Sequence, residues 1–304
     1  MHNLPKLEGI ASVVRQDILK MLYQAQTGHA AGALGMADIF TALYFYLLNI
    51  DPQNPWRQDR DKLILSNGHI CPVLYATLAQ RGFFPTKKLL TLRDFGSSLQ
   101  GHPHFQRYYK AENIAFNDLR WSGKAKDFSS NLLNQNLPGV ENTSGSLGQG
   151  VSLAAGMAFS HKQNGDQNYV VCITSDGEQQ EGQVWETYMF CQKYKLDNLI
   201  FILDRNEIQI DGYTYEVMPI EFLKEKYEAF GLLVLECDGN DIDDFIDTYL
   251  KAKAIYNHSV MIIAHTIAGK GVSFMQDDPV WHGRVPTEEE LIKALKELRT
   301  NYEI

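Results

Sequence analysis

Five short apolar runs, separated by segments of helical periodicity, constrain the fold of this 304-residue chain most strongly. Continuous apolarity without alternation is typical of strands covered on both faces, and helical spacers between such strands indicate parallel βα units. We therefore predict an α/β fold, doubly wound, with a mainly parallel sheet and helices on both faces. The predicted strands are residues 62–65, 169–173, 199–203, 232–235 and 260–264.

Helical periodicity marks segments outside these strands. Apolar residues recur at helical spacing in residues 9–26, and residues 36–48 are apolar nearly all round, as in a buried helix. A surface helix is predicted at residues 286–299, where Thr287 and Glu290 have capping-box spacing. Because α/β folds of this length often form one unit, we predict a single domain over residues 1–304.

The charge balance excludes one class of function. The chain has 28 Lys and Arg residues, 37 Asp and Glu residues and a formal charge of −9, without a dense basic stripe. Nucleic acid is therefore not an expected partner. The apolar runs fall far short of the roughly 20 residues that span a bilayer, and the amino terminus lacks a signal-peptide pattern. We expect a cytoplasmic protein without a membrane partner.

The cysteine and histidine spacings argue against disulfides and zinc. Cys71, Cys172, Cys191 and Cys237 include no C-x-x-C pair, so we expect reduced core residues. No histidine pair has the H-E-x-x-H spacing of a helical zinc site.

Polar residues follow several of the predicted strands. These segments are 66–69, 175–178, 204–206 and 265–266, and they carry Gly, Asp, Asn or His. Ligands of open α/β sheets bind beyond the carboxyl ends of the strands, so one site assembled from several loops is expected. The strongest signal is Asp176-Gly177-Glu178 together with Asn206-Glu207-Ile208. A carboxylate oxygen, an amide oxygen and a nearby backbone carbonyl, presented just past buried strands, are hard oxygen ligands suited to Mg²⁺ or Ca²⁺. Either side chain alone would be interpreted as a turn cap.

Glycine accompanies two further signals. Four histidines adjoin a glycine, at Gly28-His29, Gly68-His69, Gly101-His102 and His282-Gly283. The small-residue segment 143–150 precedes an apolar stretch and would present free N–H groups to an anion or a ring nitrogen at a helix amino terminus. Each of these features alone has an ordinary structural interpretation, as a loop histidine or a tight turn.

Together, these motifs resemble the amino-terminal half of transketolase, a thiamine diphosphate-dependent enzyme. The resemblance extends from about Ile10 to Gly283, and it implies the thiamine diphosphate-binding fold of the diphosphate-binding (PP) type. The collinear motifs are Gly28-His29, Leu65-Ser66-Asn67-Gly68-His69, Gly101-His102-Pro103, residues 143–150, Asp176-Gly177-Glu178, Asp204-Arg205-Asn206, Gly269-Lys270-Gly271 and Trp281-His282-Gly283.

The resemblance implies a role for each matching residue. Asp176, Asn206 and the Ile208 carbonyl would hold Mg²⁺, with Ca²⁺ or Mn²⁺ as substitutes. The implied cofactor-binding residues are His69, Gly177, Asn206 and His282 around the diphosphate and metal, and Gly145, Ser146, Leu147 and Ile210 along the two rings. His29, His102 and His282 would face the reacting sugar, donate hydrogen bonds and move protons. Glu181 and Glu186, also assigned to the catalytic set, resemble buried acids that link paired cofactor sites.

The implied activity is transfer of a two-carbon ketol unit from a ketose or ketose phosphate to an aldose. Three departures from the family pattern stand out. Ser175 replaces a glycine, Ala30 replaces a proline beside His29, and residues 107–137 form a polar insertion. The insertion is either a surface loop or a substrate lid.

The resemblance also implies a partner. In transketolases, the groups that activate the aminopyrimidine ring come from a second α/β domain, whereas this sequence stops at Ile304. We therefore expect the amino-terminal subunit of a split transketolase, in a heterotetramer with a separate carboxy-terminal, pyrimidine-binding subunit. The alternatives are the α subunit of a 2-oxo acid dehydrogenase E1 component, against which the Gly-His motifs argue, and a catalytically silent cofactor-binding paralogue.

Overall fold

Five parallel strands form the central sheet of the computed structural model, which describes residues 2–105 and 137–300. The strands are β1 Lys62–Leu65, β2 Val170–Ser175, β3 Leu199–Arg205, β4 Ile208–Gln209, β5 Gly212–Tyr213, β6 Leu233–Asp238 and β7 Val260–His265. The strand order in the sheet is β1-β2-β3-β7-β6, and β4 and β5 form a separate antiparallel pair. All five predicted strands are confirmed, and no strand end is shifted by more than three residues.

Helices connect these strands. They are α1 Leu4–Ala25, α2 Ala31–Gly35, α3 Ala37–Ala42, α4 Cys71–Arg81, α5 Gln149–Asn164, α6 Gly182–Tyr194, α7 Thr214–Val217, α8 Leu223–Ala229, α9 Ile242–Lys253 and α10 Glu288–Thr300. The helix predicted at residues 36–48 is α3 followed by a π-helical turn at Leu43–Leu47. Short 3-10 turns follow β1, at Gly68–Ile70, and β2, at Gly177–Gln180.

Two hydrophobic cores lie on opposite faces of the sheet. One core contains α1, α3, α4 and α9, and the other contains α5, α6 and α8. Successive strand residues enter opposite cores: Leu63 and Val171 lie in the first, whereas Ile64 and Cys172 lie in the second. The prediction of helices on both faces is therefore confirmed.

The predicted coverage of the strands is wrong for one of them. Strand β6 lies at the edge of the sheet, where β7 is its one partner among the described strands. Leu233 is 40% exposed, and Val234 is only partly buried. An apolar run therefore does not by itself distinguish an edge strand from a central one.

Capping residues fix the ends of the first and last helices. α1 begins at Leu4 rather than at residue 9, because the Asn3 side chain accepts a hydrogen bond from the Lys6 N–H at 3.2 Å. The predicted capping box before α10 is confirmed: the Thr287 N–H donates to Glu290 at 2.8 Å, and the Glu290 N–H donates to Thr287 Oγ1 at 3.4 Å.

Three other predictions concern the chain as a whole. The four cysteines are free and buried, as predicted. Of the predicted insertion at 107–137, residues 107–136 lie outside the described residues. In the part of the chain that the structure describes, no helix combines the length and the apolar character needed to cross a membrane.

Candidate active site

The pairing of β2 with β3 brings the predicted metal ligands to one edge of the sheet. Ser175 lies opposite Asp204, so that Asp176 lies beside the turn that follows β3. Asp176 is completely buried. One of its oxygens accepts a hydrogen bond from the Gly177 N–H at 2.8 Å, and the other accepts one from the Glu207 N–H at 2.6 Å. The bond from Glu207 holds the two strand ends together.

Asp176 also contacts a cation of the protein. Arg205 Nη1 lies 3.3 Å from Asp176 Oδ2, and the same guanidinium lies 2.6 Å from Glu221. Burial raises the pKa of Asp176 to about 6, although Arg205 and the two N–H donors lower it. Since burial disfavours its charged form, this carboxylate is a group that a bound cation would stabilise.

The Asn206 side chain is held by its neighbours. Its Oδ1 accepts a hydrogen bond from the Ile208 N–H at 3.0 Å, and its Nδ2 donates to Asp204 Oδ2, also at 3.0 Å. Asp204 is buried, and burial, together with the charge of Asp176, raises its pKa to about 7 against the effect of hydrogen bonds from Thr266 and Asn206. Asp204 belongs to a predicted motif but was not among the predicted site residues, so its role in orienting Asn206 was missed.

The donor set fits a hard divalent cation. Asp176 and Asn206 present a carboxylate and an amide oxygen at the neighbouring ends of β2 and β3. Ile208 lies two residues beyond Asn206. Among the described residues, no group of three His, Cys, Asp or Glu side chains could hold a metal ion. A metal bound here would therefore depend on amide and backbone oxygens, and on oxygens of the ligand.

Three histidines distant in sequence meet beside this edge. The ring centroids of His29 and His69 lie 5.1 Å apart, those of His69 and His282 lie 5.2 Å apart, and those of His29 and His282 lie 5.5 Å apart. Burial lowers the pKa of all three rings, and it lowers that of His29 to about 4 with further contributions from His282 and Arg93. At neutral pH the rings are therefore uncharged and can accept as well as donate hydrogen bonds.

Several polar atoms near the histidines lack partners. His29 Nδ1, both amide atoms of Asn67 and Ser144 Oγ are buried and make no hydrogen bond within the described residues. Buried polar atoms normally have partners, so this concentration fits a polar ligand. Asn67 and Ser144 were not among the predicted site residues, although both belong to the quoted motifs.

Close approaches join the remaining loops. A Cβ added to Gly68 would lie 2.3 Å from Ser144 Oγ, and one added to Gly145 would lie 3.9 Å from His102 Cγ. Burial, followed by the charge of Arg93, lowers the pKa of His102. The segment 143–148 therefore lies against both the Gly68-His69 turn and His102.

The remaining predicted residues lie on the loops around these histidines. Gly145 and Ser146 are exposed, and Leu147 is half-buried. The Leu147 carbonyl accepts a hydrogen bond from Gln183 Nε2 at 3.1 Å. Ile210 is 62% exposed and lies beside His282, because a Cβ on Gly283 would be 3.1 Å from Ile210 Cδ1. Close approach is also seen at Gly177, whose Cβ would lie 3.3 Å from Gln209 Cβ.

One predicted source of free N–H groups needs correction. The Gly148 N–H, immediately before α5, donates to Glu178 Oε1 at 2.5 Å. Glu178 is completely buried and also accepts from Ser66 Oγ at 2.5 Å and from the Ser175 N–H at 3.3 Å. A protein carboxylate thus takes this N–H from any ligand anion. Glu178 belongs to a predicted motif, but no role was predicted for it.

This chain alone does not provide the expected burial of two acids. Glu181 and Glu186 both have exposed side chains, Glu181 immediately before α6 and Glu186 on it. The fold of this chain therefore does not supply the burial that the resemblance implies.

The sequence of this chain matches a known protein family. The model of the transketolase thiamine diphosphate-binding domain matches residues 8–115 and 133–303. The chain belongs to this family. Residues 116–132, within the predicted insertion, lie outside the ranges that the family model matches.

Similar proteins fall into two size classes. An apulose-4-phosphate transketolase subunit of Phocaeicola vulgatus is 35% identical over 95% of this chain and 92% of its own length. The 6-deoxy-6-sulfo-D-fructose transketolase subunit SqwG of Clostridium sp. is 37% identical over 96% of each protein. Human transketolase is 31% identical over 93% of this chain, which corresponds to 40% of the human protein.

Solved structures show the same fold. Transketolase from Campylobacter jejuni superimposes with a TM-score of 0.83 at 29% identity, over 98% of this chain. The chain spans 43% of the length of that transketolase. The predicted thiamine diphosphate-binding fold is therefore confirmed.

Proposed function

We propose that this chain is the diphosphate- and metal-binding subunit of a two-subunit transketolase, which transfers a two-carbon ketol unit from a ketose or ketose phosphate to an aldose. The observation that carries the proposal is the meeting of His29, His69 and His282 beside the Asp176 and Asn206 strand ends. Relatives of about the same length are named as transketolase subunits, which supports a separate partner.

The residues suit particular parts of the cofactor. Asp176, Asn206 and the Ile208 carbonyl would hold Mg²⁺, and His69 and Gly177 would contact the diphosphate. Gly145, Ser146, Leu147 and Ile210 would line the approach to the rings. When bound, thiamine diphosphate would supply the stabilised carbanion needed to break and form a carbon–carbon bond beside a carbonyl.

The histidines would act on the sugar. His29 has a neutral ring and an Nδ1 without a partner, so it can hold a sugar oxygen by a hydrogen bond. His282 and His102 are also neutral at pH 7, since burial lowers the pKa of both. Neutral imidazoles can accept a proton from a hydroxyl group as the carbonyl forms and return it to the product.

The second subunit would complete the site. We propose that it carries the pyrimidine-binding half, forms a heterotetramer with this chain and contacts the exposed Glu181 and Glu186. The test combines this chain with the product of a neighbouring reading frame that resembles the carboxy-terminal half of a transketolase. The assay contains thiamine diphosphate, Mg²⁺, a ketose phosphate and an aldose phosphate.

Each outcome of this assay discriminates between hypotheses. The mixture should transfer the ketol unit, and neither protein should do so on its own. Turnover by the lone chain would contradict the two-subunit proposal. Transfer to a lipoyl acceptor from a 2-oxo acid would favour the E1 alternative. Cofactor binding by the mixture without turnover on either substrate pair would favour the silent paralogue.

A further inference from the structure

The carboxylate of Glu178 receives hydrogen bonds from three separate segments of the chain. Ser66 Oγ and the Gly148 N–H both donate to Oε1 at 2.5 Å, and the Ser175 N–H donates to Oε2 at 3.3 Å. The side chain is completely buried. Burial raises its pKa, and the hydrogen bonds oppose that rise. Its charge is therefore held by donors from the loops rather than by solvent.

Each donor is a near neighbour of a residue assigned to the cofactor. Ser66 begins the turn that carries His69, Gly148 directly follows Leu147, and Ser175 directly precedes Asp176. The three segments come from the end of β1, the start of α5 and the end of β2. Glu178 thus accepts hydrogen bonds from the segments that are proposed to contact the diphosphate, the cofactor rings and the metal.

Tight packing limits independent movement of these segments. A Cβ added to Gly150 would lie 2.6 Å from Ser66 Cα, so the first turn of α5 touches the backbone at the end of β1. Backbone atoms in such contact cannot shift alone, since protein interiors transmit small displacements to their neighbours. A change at Glu178 would therefore reach more than one loop.

We propose that Glu178 is a positioning residue that holds these three loops in the arrangement that receives the diphosphate and the metal. This inference rests on the proposed function for its ligand, although the loop arrangement itself is tested without one. A carboxylate suits the position because it is purely an acceptor, and all its observed partners are donors. A glutamine would turn an NH₂ group toward at least one of them.

Another acid of the chain provides a matched control. Asp61 is also buried, and its carboxylate accepts hydrogen bonds from the N–H groups of Asn49 and Tyr169, each at 2.9 Å. It immediately precedes β1 and so lies at the amino end of the sheet, away from the site. Asp61→Asn therefore removes the same kind of buried charge without touching the three loops.

Hydrogen exchange of the cofactor-free full chain tests the arrangement. Glu178→Gln should speed exchange in peptides covering residues 66–70 and 143–150, and Ser66→Ala should do so to a smaller extent. Asp61→Asn should speed exchange around residues 49 and 169 instead. Equal loosening of the site loops by Asp61→Asn, or wild-type exchange in Glu178→Gln, would overturn the proposal.

Cofactor affinity tests the consequence for function. In the reconstituted complex with Mg²⁺, Glu178→Gln should raise the Kd for thiamine diphosphate by about tenfold or more, with a smaller effect on kcat at saturating cofactor. Asp61→Asn should leave this Kd unchanged. Loosened loops with a wild-type Kd would refute the positioning role. Failure of the wild-type complex to bind the cofactor would instead refute the proposed function.

Discussion

The backbone N–H of Glu207 donates a hydrogen bond to the Asp176 carboxylate at 2.6 Å, which ties the turn after β3 to the end of β2. Arg205 reinforces the same connection from 3.3 Å. The oxygens expected to bind the metal are therefore already oriented by the protein. Such preorganisation places the ligands before the ion arrives and reduces the ordering that binding requires.

Replacing Asp176 should abolish metal-dependent cofactor binding. Asp176→Asn keeps the size of the side chain but removes the only carboxylate in the proposed ligand set. We expect Mg²⁺ affinity to fall by more than about 100-fold, because even outer partners of metal ligands are worth about 10–100-fold. Titration calorimetry with Mg²⁺ and thiamine diphosphate measures the loss.

The control for this change is Asp197→Asn. Asp197 forms an ion pair with Lys162 at 2.7 Å, outside the site, so its removal should leave the affinity for Mg²⁺ unchanged. Wild-type affinity in Asp176→Asn would remove Asp176 from the ligand set.

Acidification should destabilise the chain through His29. Burial, then His282 and Arg93, lower the pKa of His29 to about 4, whereas the unfolded value is about 6.5. Between these values the unfolded state binds more protons, so the contribution of His29 to stability is lost as the pH falls from about 6.5 to 4. His29→Gln should flatten this part of the profile.

Urea unfolding at a series of pH values measures the effect of His29. Arg93→Gln offers a second approach, because loss of a nearby positive charge should raise the pKa of His29 in an NMR titration. A pKa of His29 near 6.5 in the folded wild-type chain would contradict the burial argument.

Two glycines of α5 should respond to alanine in opposite directions. Gly150→Ala would place a Cβ 2.6 Å from Ser66 Cα, and we expect a loss of about 1–3 kcal/mol in the free energy of unfolding from overpacking. Gly156 has no atom within 4 Å of an added Cβ, so Gly156→Ala should gain about 0.5–1 kcal/mol from helix propensity. Chemical denaturation of both variants measures the two changes in the free energy of unfolding. Equal changes would show that the close approach at Gly150 does not destabilise the alanine variant.

Glu186 should matter to the assembly and not to the isolated chain. Because its side chain is exposed, Glu186→Gln should change the free energy of unfolding by less than about 0.5 kcal/mol. In the reconstituted complex, the same change should slow turnover. Glu225→Gln, at an exposed position on α8, is the control and should alter neither property. Unchanged turnover in Glu186→Gln would remove this residue from the proposed intersubunit contact.

Local sequence signals were sufficient for most of the fold. The strands could be predicted because a buried parallel strand contains a continuous apolar run, as at residues 170–173 of β2 and 199–203 of β3. The capping box of Thr287 and Glu290 is equally local. The edge position of β6 could not be predicted, because it depends on which strands pair and not on the composition of the strand.

The convergence of the predicted metal ligands at one edge of the sheet could be predicted, whereas several contacts around them could not. Asp176 and Asn206 follow strands directly, so the sheet topology alone brings them together. The acceptor role of Glu178 depends on the separation of Ser66, Gly148 and Ser175 in space, which motif spacing does not encode. The exposure of Glu186 likewise depends on how α6 packs in the fold, which the neighbouring residues in the sequence do not encode.

The register that sets Ser175 opposite Asp204 places two buried acids, Asp176 and Asp204, at adjacent strand ends. The charge of Asp176 raises the pKa of Asp204 beyond the effect of burial. Ionisation of one acid therefore increases the free energy needed to ionise the other. A cation bound at Asp176 would relieve this repulsion, and a ligand that binds only folded molecules shifts the folding equilibrium toward them. Magnesium starvation would then shorten the lifetime of the polypeptide in the cell, since unfolded molecules are the ones that proteases remove.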